Sequence, residues 1–381
     1  MNRVHKLDIE DKLNFELRSK FPGEEGNPFD KTLRKLQKIN QIPTIFFFIL
    51  ILFFTGIFSF FNTVNWLILF LFTLLDSIII ASLPTLKISF GSYKSQVLLL
   101  AILRTIFIWF PFPINLAFQY IGTILVIFGF MIEPSSVIIT NIQTSTEQRI
   151  SKLHFIHLAD IHMEKISIRE KKIIEIIKQR RPDFILFTGD FLNLSFNQNE
   201  DSINQVINFF NQINTIAPVY YVSGSSAVDL DMTLNLIENK LTPIRLNNNN
   251  LVIKYNETEI NLVGISCTHR PHEDIKILPG LLDKNRLNIL LYHSPDLIFE
   301  LDNRHKVDIM LSGHTHGGQV RIPFLGAFFT GSLYGRKLQN GMYKFNNTLL
   351  YISRGIGLEG LGAPRVRIFC SPEIIEWKIN Y

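Results

Sequence analysis

Two different patterns of apolar and polar positions divide the chain. Ile42 to Phe61, IPTIFFFILILFFTGIFSFF, is an apolar run without a charge, and Val64 to Leu83 is a second, set off by Asn62-Thr63. Two more lie near 97–112 and 115–132, split by Pro111, Pro113 and Asn115. Crossing a hydrocarbon core takes about 20 apolar residues. The pattern therefore predicts a transmembrane region at 42–132 with four helices, the third short and Pro-ended. From Lys152 onward, short apolar runs alternate with amphipathic stretches. Strands are expected at 152–158, 184–188, 218–223, 260–265, 288–293 and 307–312, and helices near 166–180, 200–214 and 230–240. Later strands are expected at 341–345, 348–353, 365–370 and 373–379. Alternating strands and helices followed by strands predict a layered α/β domain over 151–381. Residues 1–41 are expected as a tail, 133–150 as a linker, and Asn247 to Asn250 as an exposed turn.

Composition locates the membrane block. Of 381 residues 47% are hydrophobic and 19% charged, and mean hydropathy is positive. Residues 41–132 hold four charges (Asp76, Lys87, Lys94, Arg104), and the other 289 residues hold 67 of the 71. That remainder is ordinary soluble composition. Two cysteines, Cys267 and Cys370, far apart in sequence, exclude a disulfide scaffold and fit a reducing compartment. The tail carries nine of the basic residues, and the loop after the second run carries Lys87 and Lys94. The positive-inside rule then puts the tail, that loop and everything after 133 on the cytoplasmic side, in a multi-pass protein of the cell membrane. Asp76 and Arg104 are expected at similar depth, roughly 11–12 Å from that side at about 1.5 Å per residue, either facing one another as an ion pair or snorkelling separately. A net charge of +5 without an aromatic-basic array argues against nucleic acid as a partner. The tail, nine basic and seven acidic, is expected as a solvated segment or a short amphipathic helix.

Candidate chemistry sits where strands end. Asp160-x-His162 follows the first strand, Gly189-Asp190 the second, His293 the strand at 288–292, and Gly313-His314-Thr315-His316 the strand at 307–312. Carboxylate and imidazole side chains at the C-terminal ends of strands converge in the crevice where open α/β sheets bind ligands. Mixed Asp and His donors suit Mn, Fe or Zn, since Ca prefers oxygen shells.

These segments resemble the calcineurin-like metallophosphoesterases over about 152–379. HLADIHMEK is similar to the first motif of that family, FTGDFLN to its second, YHSPD to its fourth and LSGHTHGGQ to its fifth. The segments RIPFLGAFFTGSLYGRKLQNGMYKF and YISRGIGLEG resemble a membrane-associated bacterial branch in which such a domain follows transmembrane helices. The resemblance implies a four-layer α-β-β-α sandwich and two divalent ions bridged by water or hydroxide. It implies that Asp160, His162, Asp190 and His316 hold one ion. Asp190 would bridge, and His293 and His314 would hold the other.

The third motif departs from the family. Where Gly-Asn-His is expected, the chain has Gly224-Ser225-Ser226-Ala227. Ser225 stands in the place of a metal-binding asparagine and is a poor ligand. Ser226 stands in the place of the catalytic histidine and is no general acid at neutral pH. His269 and His272, in SCTHRPHED, are candidates to supply the missing role, and Arg354 is the candidate for binding substrate phosphate. Two functions follow as expectations: a membrane-anchored hydrolase of phosphodiester, phosphomonoester or pyrophosphate bonds, with a lipid-linked substrate as its partner; or a non-catalytic membrane-bound binding or signalling protein that keeps a metal or phosphate site. A transporter is disfavoured because the apolar runs show no broken polar helices.

Overall fold

Alternate side chains of the strand Leu153–Leu158 enter two different cores, and this period-two division organises the C-terminal part of the molecule. The computed structural model describes residues 4–15, 21, 23–145, 152–255 and 257–380. Its strands are β1 (Val4–Lys6), β2 (Ile138–Thr144), β3 (Leu153–Leu158), β4 (Phe184–Phe187), β5 (Val219–Tyr221), β6 (Ile244–Arg245), β7 (Asn249–Tyr255) and β8 (Thr258–Gly264). They continue with β9 (Leu287–Leu291), β10 (Ile309–Ser312), β11 (Arg321–Ile322), β12 (Gly326–Ala327), β13 (Gly341–Phe345), β14 (Thr348–Ile352) and β15 (Glu373–Ile379).

One sheet runs β2-β15-β3-β4-β5-β6 and the other β1-β13-β14-β10-β9-β8-β7, with β11 and β12 as a separate pair. Between the sheets lie Leu153, Phe155, Phe184, Leu186, Leu262, Ile289, Leu291 and Trp377. Their sequence neighbours Ile156, Ile185 and Phe187 point the other way, against helices Ile168–Arg180 and Glu200–Asn214. Leu290, Met310 and Leu350 face the short helical segments Ile275–Gly280 and Pro295–Glu300 beyond the second sheet. The result is an α/β domain of four layers, α-β-β-α. Helix Ile168–Arg180 starts at a capping box, in which Ser167 N donates to Glu170 at 2.7 Å. Helix Glu200–Asn214 starts with Asn199 accepting from Ser202 N at 3.0 Å.

Ahead of this domain come helices α1 (Pro28–Gln37), α2 (Thr44–Phe58), α3 (Thr63–Ser82), α4 (Lys94–Thr105) and α5 (Phe112–Ile127). Four full spans are not what these helices provide. Among the described residues two are long and apolar enough to cross a membrane, Thr63–Ser82 and Phe112–Ser135. A third counts only if the pair Pro28–Gln41 and Thr44–Phe58, bent by 106°, is one span. With 15 and 12 residues, α2 and α4 rise only about 22 and 18 Å, short of a core about 30 Å thick.

Other expectations meet different outcomes. The stretch expected as a linker contains β2, which pairs in parallel with β15 from Ile138↔Glu373 to Thr144↔Ile379; residues 146–150 lie outside the described residues. The tail is not simply solvated, because β1 joins the second sheet beside β13 and α1 packs Leu33 against Leu361. Asn249 and Asn250 begin β7, leaving Asn247 and Asn248 to the turn, with Asn248 at φ 49°. Residues 365–370 form no ladder. Their backbone instead docks the domain on the apolar helices: Arg365 N donates to Gln96, Arg367 N to Gly129 O, and Phe369 N to Glu133, all at 2.9 Å. Arg365 also pairs with the buried Glu164, which accepts from Ser89 Oγ at 3.0 Å.

Candidate metal centre

At the ends of β3, β4 and β10 the chain turns sharply, and the turning residues carry the chemistry. Asp160, His162, Asp190, His314 and His316 adopt left-handed backbone with φ of 47°, 41°, 62°, 68° and 51°. Such conformations cost about 1–3 kcal/mol each and persist where the surroundings over-determine them. Small neighbours allow the approach. A Cβ on Gly313 would lie 2.4 Å from Asp160 Oδ2, and one on Gly224 would lie 2.0 Å from Asp190 Oδ1. Asp229 clamps the Asp190 turn by accepting from the main-chain N of Asp190 at 3.0 Å, Phe191 at 2.9 Å and Gly224 at 2.7 Å. Asp229 has no counterpart in the sequence reading.

The six expected residues come together, all but His314 fully buried. His162 Nε2 lies 3.0 Å from His316 Nε2 and 3.3 Å from Asp190 Oδ2. His293 Nε2 lies 3.4 Å from the same Asp190 oxygen, and His293 Nδ1 lies 3.9 Å from Asp160 Oδ1. Potential ligand atoms within 4.8 Å of one another form three groups: Asp160, His162 and His316; Asp160, Asp190 and His293; and His269, His293 and His314.

Backbone carbonyls set two of the imidazole tautomers. His293 Nδ1 is 2.7 Å from Thr188 O and His314 Nε2 is 3.2 Å from Gly331 O. A carbonyl only accepts, so each of these nitrogens carries the proton, and the neutral ring offers its other nitrogen as a lone pair. Those lone pairs, His293 Nε2 and His314 Nδ1, both face Ser225 Oγ, at 3.1 and 3.5 Å.

The electrostatics describe a site that demands positive charge. Burial pushes the Asp160 carboxyl up to about 6. Burial opposes ionisation of Asp190 as well, but His293 and His162 outweigh it and hold Asp190 well below the usual carboxylate range. Burial works against the imidazolium of His162 and His293, yet Asp190 raises both to about 9. His314 falls to about 3 through burial and the charge of His293, and burial with His162 holds His316 well below its usual value. Asp160 Oδ2, His162 Nδ1 and His316 Nδ1 are buried without a protein hydrogen-bond partner. An unpartnered buried carboxylate oxygen among converging imidazole lone pairs fits divalent cations.

A cavity of about 250 Å³ opens over His162, Asp190, Ser225, His314 and His316. Its far wall comes from the tail, with Gly23, Phe29 and Asp30, and from Phe329, which stacks on Phe29 at 5.4 Å between centroids. Burial and Glu359 raise the Asp30 carboxyl to about 6. No ligand signal in the tail marked these residues.

The remaining expected residues separate. Ser225 is buried inside the cluster, whereas Ser226 is exposed. His269 enters the cluster, with Nε2 3.0 Å from Ser225 Oγ and its ring 4.5 Å from that of His314. His272 lies by a different cavity, beside Lys12 and Phe15. Arg354 is not available as a free phosphate ligand. Its Nε and Nη2 contact Glu373 Oε2 at 2.9 and 2.5 Å, and its main-chain N donates to the other oxygen at 3.0 Å. The buried Glu373 neutralises it.

Comparison with known proteins agrees with this geometry. The sequence profile of the calcineurin-like phosphoesterase family matches residues 153–318. The uncharacterized metallophosphoesterase YkoQ of Bacillus subtilis is 27% identical over 231 residues, covering 58% of this chain and 82% of its own length. YkuE of the same organism, also an uncharacterized metallophosphoesterase, is 26% identical over 222 residues, or 58% of this chain and 76% of its own. The UDP-2,3-diacylglucosamine pyrophosphatase LpxG of Chlamydia muridarum is 24% identical over 308 residues, covering 66% of this chain and 91% of its own. Motifs, four-layer fold and clustered Asp and His ligands converge on one conclusion: residues 153–318 lie in a calcineurin-like metallophosphoesterase domain, fused to candidate transmembrane helices.

Proposed function

We propose that this protein is a membrane-anchored, metal-dependent phosphoesterase that hydrolyses a phosphodiester, phosphomonoester or pyrophosphate bond in a lipid-linked substrate. The convergence of Asp160, His162, Asp190, His293, His314 and His316 behind four strands carries the reading. Asp160, His162, Asp190 and His316 would hold one divalent ion, of Mn, Fe or Zn. Asp190, His293 and His314 would hold the other, with Asp190 between them. Bound there, the ions supply Lewis acidity to phosphoryl oxygens and lower the pKa of water. The chain itself orients the rings through the carbonyls of Thr188 and Gly331, fixes Asp190 through Asp229, and covers the cavity with Phe29 and Phe329.

Two observations support a lipid-linked substrate on the cytoplasmic side. The cavity over the cluster shares Val320, Pro364 and Val366 with a second cavity of about 330 Å³, which Leu99, Leu103, Phe107 and Leu125 of α4, α5 and their connection line. Phosphate chemistry and an apolar groove between the helices thus lie on either side of one wall. The related pyrophosphatase, by its name, acts on an acylated sugar nucleotide. Lys87 O accepts from Ile168 N of the domain at 3.1 Å, and Lys94 Nζ reaches Ile42 O at 2.5 Å. The basic loop, the end of the tail and the domain therefore share one end of the helices, the end that the positive-inside rule assigns to the cytoplasm.

The exposed Ser226, in the place of the family's catalytic histidine, favours a second reading, a metal-binding protein without turnover. Purified protein with Mn²⁺ should hydrolyse bis(p-nitrophenyl) phosphate or a pyrophosphate-linked lipid, and Asp190→Ala should abolish this. Two bound ions without turnover on either would leave the non-catalytic reading.

A further inference from the structure

We propose that His269 is the ligand that completes the second metal site, in place of the asparagine that the chain lacks; the inference rests on the two-ion reading above. The hydroxyl of Ser225 stands at the asparagine position, and three imidazole nitrogens surround it: His269 Nε2 at 3.0 Å, His293 Nε2 at 3.1 Å and His314 Nδ1 at 3.5 Å. One hydroxyl hydrogen can serve only one of them. Thr188 O and Gly331 O hold protons of His293 and His314 on their far sides, so that, with both rings neutral, His293 Nε2 and His314 Nδ1 direct their lone pairs to the same point as His269 Nε2.

His269 is placed as the ligands are. It is 2% exposed. Its φ of 60° falls in the same left-handed region as Asp160, His162, Asp190, His314 and His316. Its ring lies 4.5 Å from that of His314 and 6.0 Å from that of His293. Gly23 of the tail packs against the Nε2 end of the ring, since a Cβ there would lie 2.2 Å from His269 Nε2. Around it, Arg270 Nε reaches Glu24 at 2.8 Å and Thr268 N donates to Asp274 at 2.9 Å. Its loop is thereby fixed on both sides of the imidazole. A His-rich second site is softer than one with an amide oxygen and favours Zn or Fe over Mn more strongly than the first site does.

The test is ion stoichiometry on the full chain in detergent, by calorimetric titration with Mn²⁺ and by the visible spectrum of the Co²⁺-loaded protein. Wild type should bind two ions per chain. His269→Ala should keep the tighter ion and bind the second on the order of 100-fold more weakly, the upper end of what loss of a ligand's supporting partner costs. The Co²⁺ bands of the second site should be lost with it. His269→Leu, which has no ligand atom, replaces the alanine variant if that one does not fold. Adding Ser225→Asn to His269→Ala should restore the second ion. Two ions bound with wild-type affinity by His269→Ala, or by His269→Leu in its place, would overturn the assignment and leave the two-ion reading standing. Fewer than two ions in wild type at saturating Mn²⁺ would overturn both.

Discussion

Asp76 and Arg104 meet as a bidentate ion pair between α3 and α4, with Nε–Oδ2 and Nη2–Oδ1 both 2.7 Å. Both residues are buried, and α5 completes the shell of the guanidinium with Gln119 O, Gln119 Oε1 and Thr123 Oγ1, each at 2.9 Å. Three helices are therefore tied at one point. Removing one partner leaves an uncompensated buried charge and costs about 3–5 kcal/mol, whereas replacing both by apolar groups is often near neutral. Arg104→Met alone should lower the melting temperature in detergent by much more than Asp76→Leu with Arg104→Met. Equal losses in the two variants would show that the pair does not tie the helices.

Ion binding at the Asp and His cluster should stabilise the fold as well as equip it. A ligand that binds only the folded chain at 100 times its Kd adds about 2.7 kcal/mol. Chelator should lower the melting temperature of the protein, and Mn²⁺ or Zn²⁺ should restore it. Asp190→Ala should remove most of that response, because Asp190 lies within 3.4 Å of both His162 and His293. An equal response in wild type and Asp190→Ala would place the ion elsewhere.

The candidate ligands were legible because the period-two runs end in carboxylates and imidazoles, and the fold brings strand ends together. The depth of two lone charges made an ion pair one of two readings, and the structure decides for it. What escaped depends on partners far along the chain. β2 is a strand because β15, over 200 residues later, offers it an edge. Arg354 reads as a free cation until the fold sets Glu373 against it. His269 and His272 are indistinguishable in sequence, yet the loop turns one into the cluster and leaves the other beside a different cavity. The tail, mixed in sign, allows a short amphipathic helix but carries no ligand pattern, although Gly23, Phe29 and Asp30 wall the cavity.

Gly23 offers a test of how the tail acts on the site. It has φ +87°, and a Cβ would fall 2.2 Å from His269 Nε2. Gly26 has a similar φ of +76°, but a Cβ there would meet nothing within 4 Å. Both alanine variants should lose about 1–2 kcal/mol to backbone strain. Only Gly23→Ala should also displace the imidazole and weaken the second ion, as titration with Mn²⁺ would show. Equal ion affinity in the two variants would mean that the tail does not position His269.

Asp296 should give the domain a pH-dependent stability that ion binding does not set. Its carboxyl is buried beneath the second sheet, where Ser332 Oγ donates at 2.5 Å and Leu333 N at 3.0 Å. Burial outweighs these bonds and pushes it up to about 6 from a usual value near 3.8. A folded-state pKa above the unfolded one means that the folded chain binds the extra proton. The contribution is complete below about pH 4 and is lost as the pH rises through 6. Two pH units correspond to about 3 kcal/mol. Unfolding in urea, followed from pH 4 to 8 with chelator present, should show a falling limb between 4 and 6 beneath whatever the cluster contributes. Asp296→Asn should flatten that limb while leaving the response to Mn²⁺ at pH 7 intact. An unchanged limb in this variant would assign the proton to another group.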